Sequence, residues 1–470
     1  MALAVPVPRR KGVLIVQICA CFVAAAYLTF LSWPLGPEIV FPLPKAHHIG
    51  FSVSNSSEPL PDDDDWVPPS AAVRVAKAQR IVPSILDPSS TSIQRVRCPA
   101  INSTRYALLI PTSPTRKYLF ALNLRQCIGL LPRLMGSILE AITFLGPENC
   151  ALSVVEGNSN DGTLEVLRLL TTPLDDLSIP YYLVTNTLDP TNGDRIKKLA
   201  ILRALALEPL TGPSPVPPPT RDSDGVHNSP EANTYWSVPQ PELRPTFAPD
   251  TTVIFINDVA ACAEDLLELA YQRTLQNADM TCAMDWAHGK DDYNEKTNIP
   301  FFYDAWIGRD INGEIFFEID PETTDWKNAT NLFPHEPVAR QALSVGASFQ
   351  VFACWNGAVA FGAEPIMTKE VEFRWAKGKE CFAGEVQLFC KDLWMAGRGK
   401  IAVVPSVNLQ YSDKRGTMIK KQRGYVSDYV KKGTTDGRIE WRGPPEKVKC
   451  MPNFNEQSWV PWNEPMGEEW

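Results

Sequence analysis

Two short segments of this 470-residue chain place acidic side chains directly after apolar runs. The first, residues 154–163, has the sequence VVEGNSNDGT. Glu156 leaves a predicted strand and Asp161 opens a predicted helix. This pair could hold the ribose and base of a nucleotide while the helix N-terminus faces phosphate. An ordinary turn in which Asp161 caps the helix is the alternative, and capping is the commoner use of such a residue.

The second segment, residues 255–259, has the sequence FINDV. An apolar strand that delivers one carboxylate, here Asp258, to its carboxyl end can hold a divalent cation such as Mn²⁺ or Mg²⁺ against a diphosphate. The alternative is that Asn257 or Asp258 caps the next helix, because both residue types are preferred at caps. The segment therefore predicts either a metal site or a helix cap.

Basic side chains that could meet a diphosphate occur in two places. Arg195, Leu199 and Arg203 recur every four residues and so form one ridge on a helix. Arginines on that ridge could bind a diphosphate through bidentate hydrogen bonds, and an exposed, solvated ridge is the alternative. The basic stretch from Lys414 to Arg423 either closes over the diphosphate or forms a mobile surface loop.

Further carboxylates follow later in the chain. Asp285 comes directly after the apolar run 280–284, so we expect it at another strand end and assign it a catalytic role. Asp304 and Asp310 lie in the aromatic segment just beyond. The three acids could surround a cation, or each could make structural hydrogen bonds.

A helix is predicted over residues 384–395, where Glu385, Leu388, Phe389 and Asp392 share one face. That face must pack because two of its members are large and apolar. Glu385 is therefore our candidate for the catalytic carboxylate that faces the sugar and the acceptor. A capping or salt-bridge role is the alternative.

Histidine and cysteine give weaker signals for a metal. His288 and His335 could complete a metal shell, although a lone histidine is more often structural. The sequence contains no C-x-x-C spacing, which argues against zinc. Nine of the eleven cysteines follow residue 33. In an oxidising compartment some of them should pair, and the odd number leaves at least one over.

The predicted elements that must position these side chains alternate between strand and helix. Such alternation predicts an α/β fold with a mostly parallel sheet and covering helices, in which ligands bind outside the carboxyl ends of the strands. The predicted strands are Tyr118–Leu122, Ala151–Val155, Tyr181–Val184 and Thr252–Ile256; the predicted helices are 131–145, Thr163–Leu170, Asp194–Leu207 and one from about Cys262.

Composition excludes several other classes of protein. The balance of 45 basic and 54 acidic residues gives a net charge of −9, which argues against a nucleic-acid partner. The 42 prolines and the absence of a fixed period exclude coiled coils, collagen and repeat architectures.

The composition divides the N-terminal part of the chain into a tail, an uncharged run and a stem. Residues 1–11 form a basic tail, and residues 12–33 are an uncharged run that would span about 33 Å as a helix, enough to cross a bilayer. The positive-inside rule then predicts a type II signal anchor with the rest of the chain lumenal; a cleaved signal peptide is the alternative. The composition predicts a stem over residues 34–105 and a folded domain over residues 106–470, with a Pro-rich insertion at 209–249. The sequons are Asn55, Asn102 and Asn328.

The order and spacing of these segments resemble a known family. Residues 117 to 412 are similar to the cryptococcal capsule-associated alpha-1,3-mannosyltransferase family, glycosyltransferase family 69, which has the GT-A fold. The matching pieces are residues 121–124, 156–163, 195–203, 255–259, 282–285, 303–310, 354–357 and 381–385.

This resemblance implies a Golgi membrane enzyme that moves mannose from GDP-mannose onto a mannoside and forms an α-1,3 bond with retention, in the synthesis of capsule polysaccharide or another glycan. It implies that Glu156 contacts the nucleotide and that Asp258 is the single aspartate holding the metal. Two rival interpretations remain open. One is a glycan-binding or assembly protein that kept the fold without turnover, and the other is a transferase that uses a UDP-sugar.

Overall fold

The structure is a computed structural model, and it describes residues 69–112, 116–212, 233–239, 246–288 and 299–464. The predicted tail and anchor, residues 1–33, and the sequon at Asn55 lie outside this part of the chain. None of the helices in the described ranges combines the length and apolar character that a membrane span needs.

Thirteen helices and thirteen strands make up the described residues, apart from two short 3₁₀ turns. The helices are α1 (Ala71–Leu86), α2 (Ser103–Tyr106), α3 (Leu131–Leu145), α4 (Thr163–Leu169), α5 (Thr171–Asp176), α6 (Arg195–Ala206), α7 (Glu208–Thr211), α8 (Ala263–Gln276), α9 (Pro337–Val345), α10 (Glu364–Met367), α11 (Glu385–Met395), α12 (Asp413–Arg423) and α13 (Val426–Lys432). The strands are β1 (Arg116–Leu124), β2 (Cys150–Glu156), β3 (Tyr181–Asn186), β4 (Asn233–Ser237), β5 (Phe247–Ile256), β6 (Met280–Ala287), β7 (Phe301–Phe302), β8 (Arg309–Asp310), β9 (Phe349–Ala353), β10 (Ala358–Gly362), β11 (Ile401–Leu409), β12 (Lys447–Cys450) and β13 (Ser458–Pro461).

One large mixed sheet organises the molecule. Its strand order is β4-β3-β2-β1-β5-β10-β6-β11-β9-β8, and β7 pairs with the end of β6. Strands β1, β2, β3 and β5 pair in parallel, and so do β6 and β11. Strand β10 runs antiparallel between β5 and β6 and joins the two parallel groups. The six parallel strands therefore all end at one edge, which confirms the predicted α/β class with a mostly parallel sheet.

Apolar side chains alternate along the central strands and fill a core on each face of the sheet. On β1, Leu119 and Ala121 belong to one core cluster, and Phe120 and Leu122 belong to the other. Helices α6 and α11 cover the first face, and α3 and α8 cover the second. Strands covered on both faces contain nearly continuous apolar runs, which is why the sequence made them easy to locate.

The packed part of the chain begins before the boundary predicted from composition. Helix α1 lies within the predicted stem, yet it packs against α3 and α4 and buries Ala78, Ile81 and Ile85. Farther along this segment, Val96 is fully buried. The segment from residue 71 therefore contributes to the core, although its composition predicted a stem.

The Pro-rich insertion also contains regular structure. Strand β4 lies within residues 209–249 and pairs antiparallel with β3 at the edge of the sheet. The sequence predicted a Pro-rich insertion here and did not predict this strand. An edge strand needs only one hydrogen-bonded neighbour, so it tolerates flanking prolines that mask its pattern in the sequence.

Three disulfides form among the described cysteines, which confirms the prediction that some of them pair. Cys98–Cys262 ties the N-terminal segment to the start of α8, Cys282–Cys354 joins β6 to the residue after β9, and Cys381–Cys450 joins the loop before α11 to β12. The other three described cysteines are buried outside these bridges: Cys127, Cys150 and Cys390.

Candidate active site

The carboxyl ends of the parallel strands bring most of the predicted site residues to one edge of the sheet. Glu156 is the last residue of β2, and Asp258 comes two residues after β5. Asp285 lies near the end of β6. Helices α6 and α11 pack against each other and begin at Arg195 and Glu385, respectively.

Glu156 is buried at the end of β2 and accepts hydrogen bonds from two backbone amides of the following turn. The N–H groups of Asn158 and Ser159 lie 3.1 and 2.7 Å from its oxygens. Burial raises the pKa of Glu156, and these hydrogen bonds oppose the rise. The carboxylate is therefore held in one orientation, and nucleotide binding by it stays a prediction.

Asp161 has a structural role in the described chain. Its two oxygens accept hydrogen bonds from the N–H of Ile128, at 3.0 Å, and of Thr163, at 2.9 Å. The N-cap residue of α4 is Gly162, one position later than the capping alternative required. Asp161 thus fastens its turn to the β1–α3 loop, and any contact with nucleotide remains a prediction.

Asp258 is the least satisfied of the predicted acids. Its Oδ2 is enclosed and has no hydrogen-bond partner among the described residues. Burial raises the pKa of Asp258 to about 7, while the positive charge of Arg203 acts in the opposite direction. The capping alternative is wrong, because α8 begins at Ala263 and is capped by Cys262 and Asp265.

Asp285, which is buried, and Asp304, which is partly buried, form a pair of neighbouring acids. Asp285 Oδ2 accepts a hydrogen bond of 2.5 Å from the Tyr411 hydroxyl, while its Oδ1 has no partner in the described structure. Burial and the neighbouring Asp304 carboxylate raise the pKa of Asp285 well above its usual range. Burial also raises the pKa of Asp304, to about 6. We call Asp258, Asp285 and Asp304 the carboxylate cluster.

A tight turn before β10 connects the members of this cluster. Asp304 Oδ2 accepts the N–H of Asn356 at 2.9 Å, and the Asn356 amide donates to the carbonyl of Ala283. Gly357 has φ +84°, and a Cβ there would lie 3.4 Å from the Asp285 Cβ. Glycine is favoured there because the backbone is left-handed.

An ion pair between Arg203 and Glu385 joins α6 to α11 beside the carboxylate cluster. Arg203 Nε donates to Glu385 Oε1 at 2.7 Å, and both side chains are largely buried. The guanidinium also lies 4.5 Å from the centre of the Trp355 ring. The solvated-ridge alternative is therefore wrong for Arg203, and the salt-bridge alternative for Glu385 is realised. A catalytic role for Glu385 stays a prediction.

Arg195, at the start of α6, is also largely withdrawn from water. Burial lowers its pKa, and the negative charge of Glu385 opposes that effect. Arg195 therefore adds a second positive charge close to Glu385 at the carboxyl edge.

Other predicted residues lie in structural roles. Asp310 Oδ1 accepts the N–H groups of Asn312 and Glu314, at 2.8 and 3.0 Å, so it organises its own turn. His335 pairs with Glu318 at the exposed surface. His288 is buried, with Nε2 3.1 Å from the side-chain oxygen of Gln422.

The basic stretch from Lys414 to Arg423 is helical, so the expectation of a loop was wrong. It forms most of α12, and Lys420 is buried in an ion pair with Asp265 at 2.7 Å. Arg423 lies 4.0 Å from the centre of the Trp286 ring. The high proportion of basic residues hid a helix in which Lys420 is buried.

The site was predicted as single residues, and the structure adds the contacts between them. Tyr411 and Asn356 were not recognised as site residues, although Tyr411 follows β11 as Asp258 follows β5. Within the described ranges, no three His, Cys, Asp or Glu side chains are placed to hold a metal by themselves.

Two comparisons with known sequences bear on this chain. Residues 117–392 match the family described as Cryptococcal mannosyltransferase 1. The Alpha-1,3-mannosyltransferase CMT1 of Cryptococcus neoformans var. neoformans serotype D is 33% identical over 412 residues, which cover 81% of this chain and 78% of that protein.

Solved structures show weaker likeness. S. aureus TarS 1–349 aligns with a TM-score of 0.32 and 11% identity, over 63% of this chain and 60% of that one, which is less than two thirds of its length. The mannosyltransferase PcManGT from Pyrobaculum calidifontis, in complex with GDP-Man and Mn²⁺, aligns with a TM-score of 0.31 and 11% identity, over 72% and 67%.

The sequence comparisons are much stronger, because the family match covers more than half of the chain and the relative covers most of it. The chain therefore belongs to the cryptococcal mannosyltransferase 1 family of glycosyltransferases, which confirms both the resemblance and the prediction of an enzyme.

Proposed function

We propose that this protein transfers mannose from GDP-mannose to a mannose-containing acceptor and forms an α-1,3 bond with retention at the anomeric carbon. Membership of the family and the 33% identity to an alpha-1,3-mannosyltransferase support this proposal. Within the structure, the observation that carries it is the enclosed, unpartnered Oδ2 of Asp258 at the carboxyl edge of a GT-A-like sheet.

Asp258 fits a divalent cation such as Mn²⁺ or Mg²⁺. A buried carboxylate oxygen without a partner is unfavourable until a positive charge meets it. One protein carboxylate is enough when phosphate oxygens and water supply the other ligands, as Mg²⁺ sites commonly show. The cation would neutralise the charge that develops on the departing diphosphate.

The protein's own side chains then have separate roles. Glu156, and Asp161 through its turn, would position the nucleotide, and Arg195 would meet the diphosphate. Arg203 holds Glu385 in a fixed orientation through their 2.7 Å ion pair. A fixed negative charge stabilises the oxocarbenium-like centre of the transition state more than it stabilises the ground state.

Retention requires the acceptor to arrive on the face that the diphosphate leaves, or a transient partner on the opposite face. Glu385 is the first candidate to stabilise that centre by either route. Asp285 is the second, because its Oδ1 has no partner in the described chain. Asp304 would position the cluster through Asn356.

We further propose that the enzyme is a single-pass type II protein of the Golgi or another secretory membrane, anchored in the lipid bilayer by residues 12–33 with its catalytic domain lumenal. The basic residues before the uncharged run support this topology. The three disulfides are consistent with an oxidising compartment.

The donor can be tested without knowing the acceptor. The full-length protein should release GDP slowly from GDP-mannose in the presence of Mn²⁺, and EDTA should abolish the release. Faster hydrolysis of UDP-glucose or UDP-galactose would overturn the choice of donor. Absence of hydrolysis and of nucleotide binding across the panel would favour the non-catalytic interpretation.

A further inference from the structure

Two large aromatic side chains stand exposed on the loop between α10 and α11. Trp375 is 38% exposed and Phe382 is 46% exposed. Single apolar side chains on a protein surface need no explanation, so the significance of these two rings depends on what surrounds them.

The loop is held in place by buried charges. Arg374 makes bidentate ion pairs with Glu380, at 2.6 and 3.0 Å, and with Asp392, at 2.6 and 2.7 Å. Lys391 adds a 2.7 Å contact to Glu380. We call Arg374, Glu380, Lys391 and Asp392 the clasp.

Each exposed ring comes immediately after a fastened residue. Trp375 follows Arg374 of the clasp, and Phe382 follows Cys381, which is bonded to Cys450. The backbone at both rings is therefore fixed before a ligand binds. A ligand that covers the rings would lose little binding free energy to ordering of the loop.

The loop also borders the catalytic candidates on two sides. Lys197, in the first turn of α6, lies 5.2 Å from the centre of the Trp375 ring. Phe382 contacts Trp306, with 6.3 Å between ring centres, and Trp306 comes two residues after Asp304. Gly384, which directly precedes Glu385, lies so close to Trp306 that a Cβ would sit 3.0 Å from it.

We propose that Trp375 and Phe382 form an acceptor subsite for a mannose-containing oligosaccharide. A pyranose ring has an apolar C–H face and a hydroxyl rim, and an exposed aromatic ring covers such a face while nearby polar groups meet the rim. Lys197 supplies a hydrogen-bond donor beside the Trp375 ring. Phe382 precedes Glu385 by three residues, so a sugar covering its ring would lie near the start of α11.

This subsite rests on the proposed mannosyl transfer, and the test separates the two. Full-length Trp375→Ala and Phe382→Ala variants are compared with wild type for the KM of α-linked mannotriose and for hydrolysis of GDP-mannose without acceptor. Trp459→Ala is the matched control, because Trp459 is 47% exposed on β13 and also carries a lysine, Lys449, 5.4 Å from its ring centre.

We expect the KM for mannotriose to rise about tenfold or more in Trp375→Ala and severalfold in Phe382→Ala, a larger factor than any change in donor hydrolysis. Trp459→Ala should behave as wild type. Saturation-transfer NMR with mannotriose alone should show the same order of binding. Unchanged mannotriose KM and binding, or an equal fall in hydrolysis, would overturn the subsite. Failure of the wild type to hydrolyse GDP-mannose would instead overturn the proposed function, and the NMR titration would still decide the subsite.

Discussion

Glu380 and Asp258 are both carboxylates withdrawn from water, and their surroundings differ in almost every other respect. Glu380 lies between Arg374 and Lys391, and these hydrogen bonds and positive charges outweigh burial and lower its pKa to about 2. Asp258 has one enclosed oxygen without a partner in the described chain, and burial raises its pKa to about 7.

The contrast separates a buried acid with complete partners from a buried acid that lacks one. A buried charge with complete partners fastens the loop that contains it, whereas a buried charge without them costs stability. Such a cost is retained where a substrate or cation supplies the missing charge, which is why strongly shifted pKa values gather at functional sites. The clasp and the carboxylate cluster illustrate the two cases within one molecule.

Removing the charge of Asp258 should have the largest effect on activity. Asp258→Asn keeps the shape of the side chain and removes the charge that would hold a cation, so GDP release from GDP-mannose should fall about 10³-fold, equivalent to about 4 kcal/mol. The melting temperature should stay the same or rise, because an uncompensated buried charge is lost. Asp310→Asn is the matched control, since Asp310 is buried and organises a separate turn. Activity that survives both Asp258→Asn and EDTA would refute the metal role.

Removing a charge from the clasp should lower stability more than it lowers activity. Glu380→Gln leaves Arg374 and Lys391 with an incomplete set of partners, so the free energy of unfolding should fall by about 3 kcal/mol. Chemical denaturation measures this loss. Glu364→Gln breaks a more exposed pair with Arg398 and should cost less than about 1 kcal/mol. Equal losses in the two variants would mean that the clasp contributes no more than a surface pair.

Glu385 lies between the two cases, because it is paired and also faces the cluster. Glu385→Gln should lower kcat about 10²-fold if its charge acts mainly in the transition state, with GDP affinity nearly unchanged. Melting temperature measured on the same preparation tests the structural alternative. A large drop in melting temperature with near-normal turnover of the folded protein would assign Glu385 to structure alone.

The smallest expected effect is on the pH dependence of stability. Between about pH 2 and 4.5 the unfolded chain holds a proton that folded Glu380 lacks, so stability should rise with pH. Between about pH 4 and 7 folded Asp258 holds a proton that the unfolded chain has lost, so stability should fall as pH rises. Each such proton contributes a slope of up to about 1.4 kcal/mol per pH unit. Unfolding curves in EDTA should show Asp258→Asn with a shallower fall and Glu380→Gln with a shallower rise.

The elements at the centre of the sheet could be predicted because burial imposes a simple pattern on them. Strands β2 and β5 and helices α3 and α6 all lie within a few residues of their predicted bounds. The edge strand β4 and the basic helix α12 were missed, since flanking prolines mask the first and the second has no clear apolar stripe. In α12, Lys420 is buried only because Asp265 of α8 meets it, a contact that no local pattern records.

The sequence did not predict which distant residues contact each other in the site. Arg203 and Glu385 were each singled out, but their ion pair joins residues 182 positions apart. Tyr411 was overlooked because its hydroxyl becomes meaningful only once β11 lies beside β6. Whether a buried acid has complete partners depends on residues distant in sequence. This distinction therefore required the structure.

The position of β10 has a consequence for how the protein folds. Strands β1, β2, β3 and β5 can pair as soon as the chain reaches residue 256, but β5 and β6 are separated in the sheet by a strand that comes about 70 residues after β6. Because such non-local pairing is slow, we expect the N-terminal part of the sheet to form first during synthesis and the carboxylate cluster to assemble only after residue 362 is available. A chain truncated before β10 would therefore carry Asp258 and Asp285 on two surfaces that no strand connects.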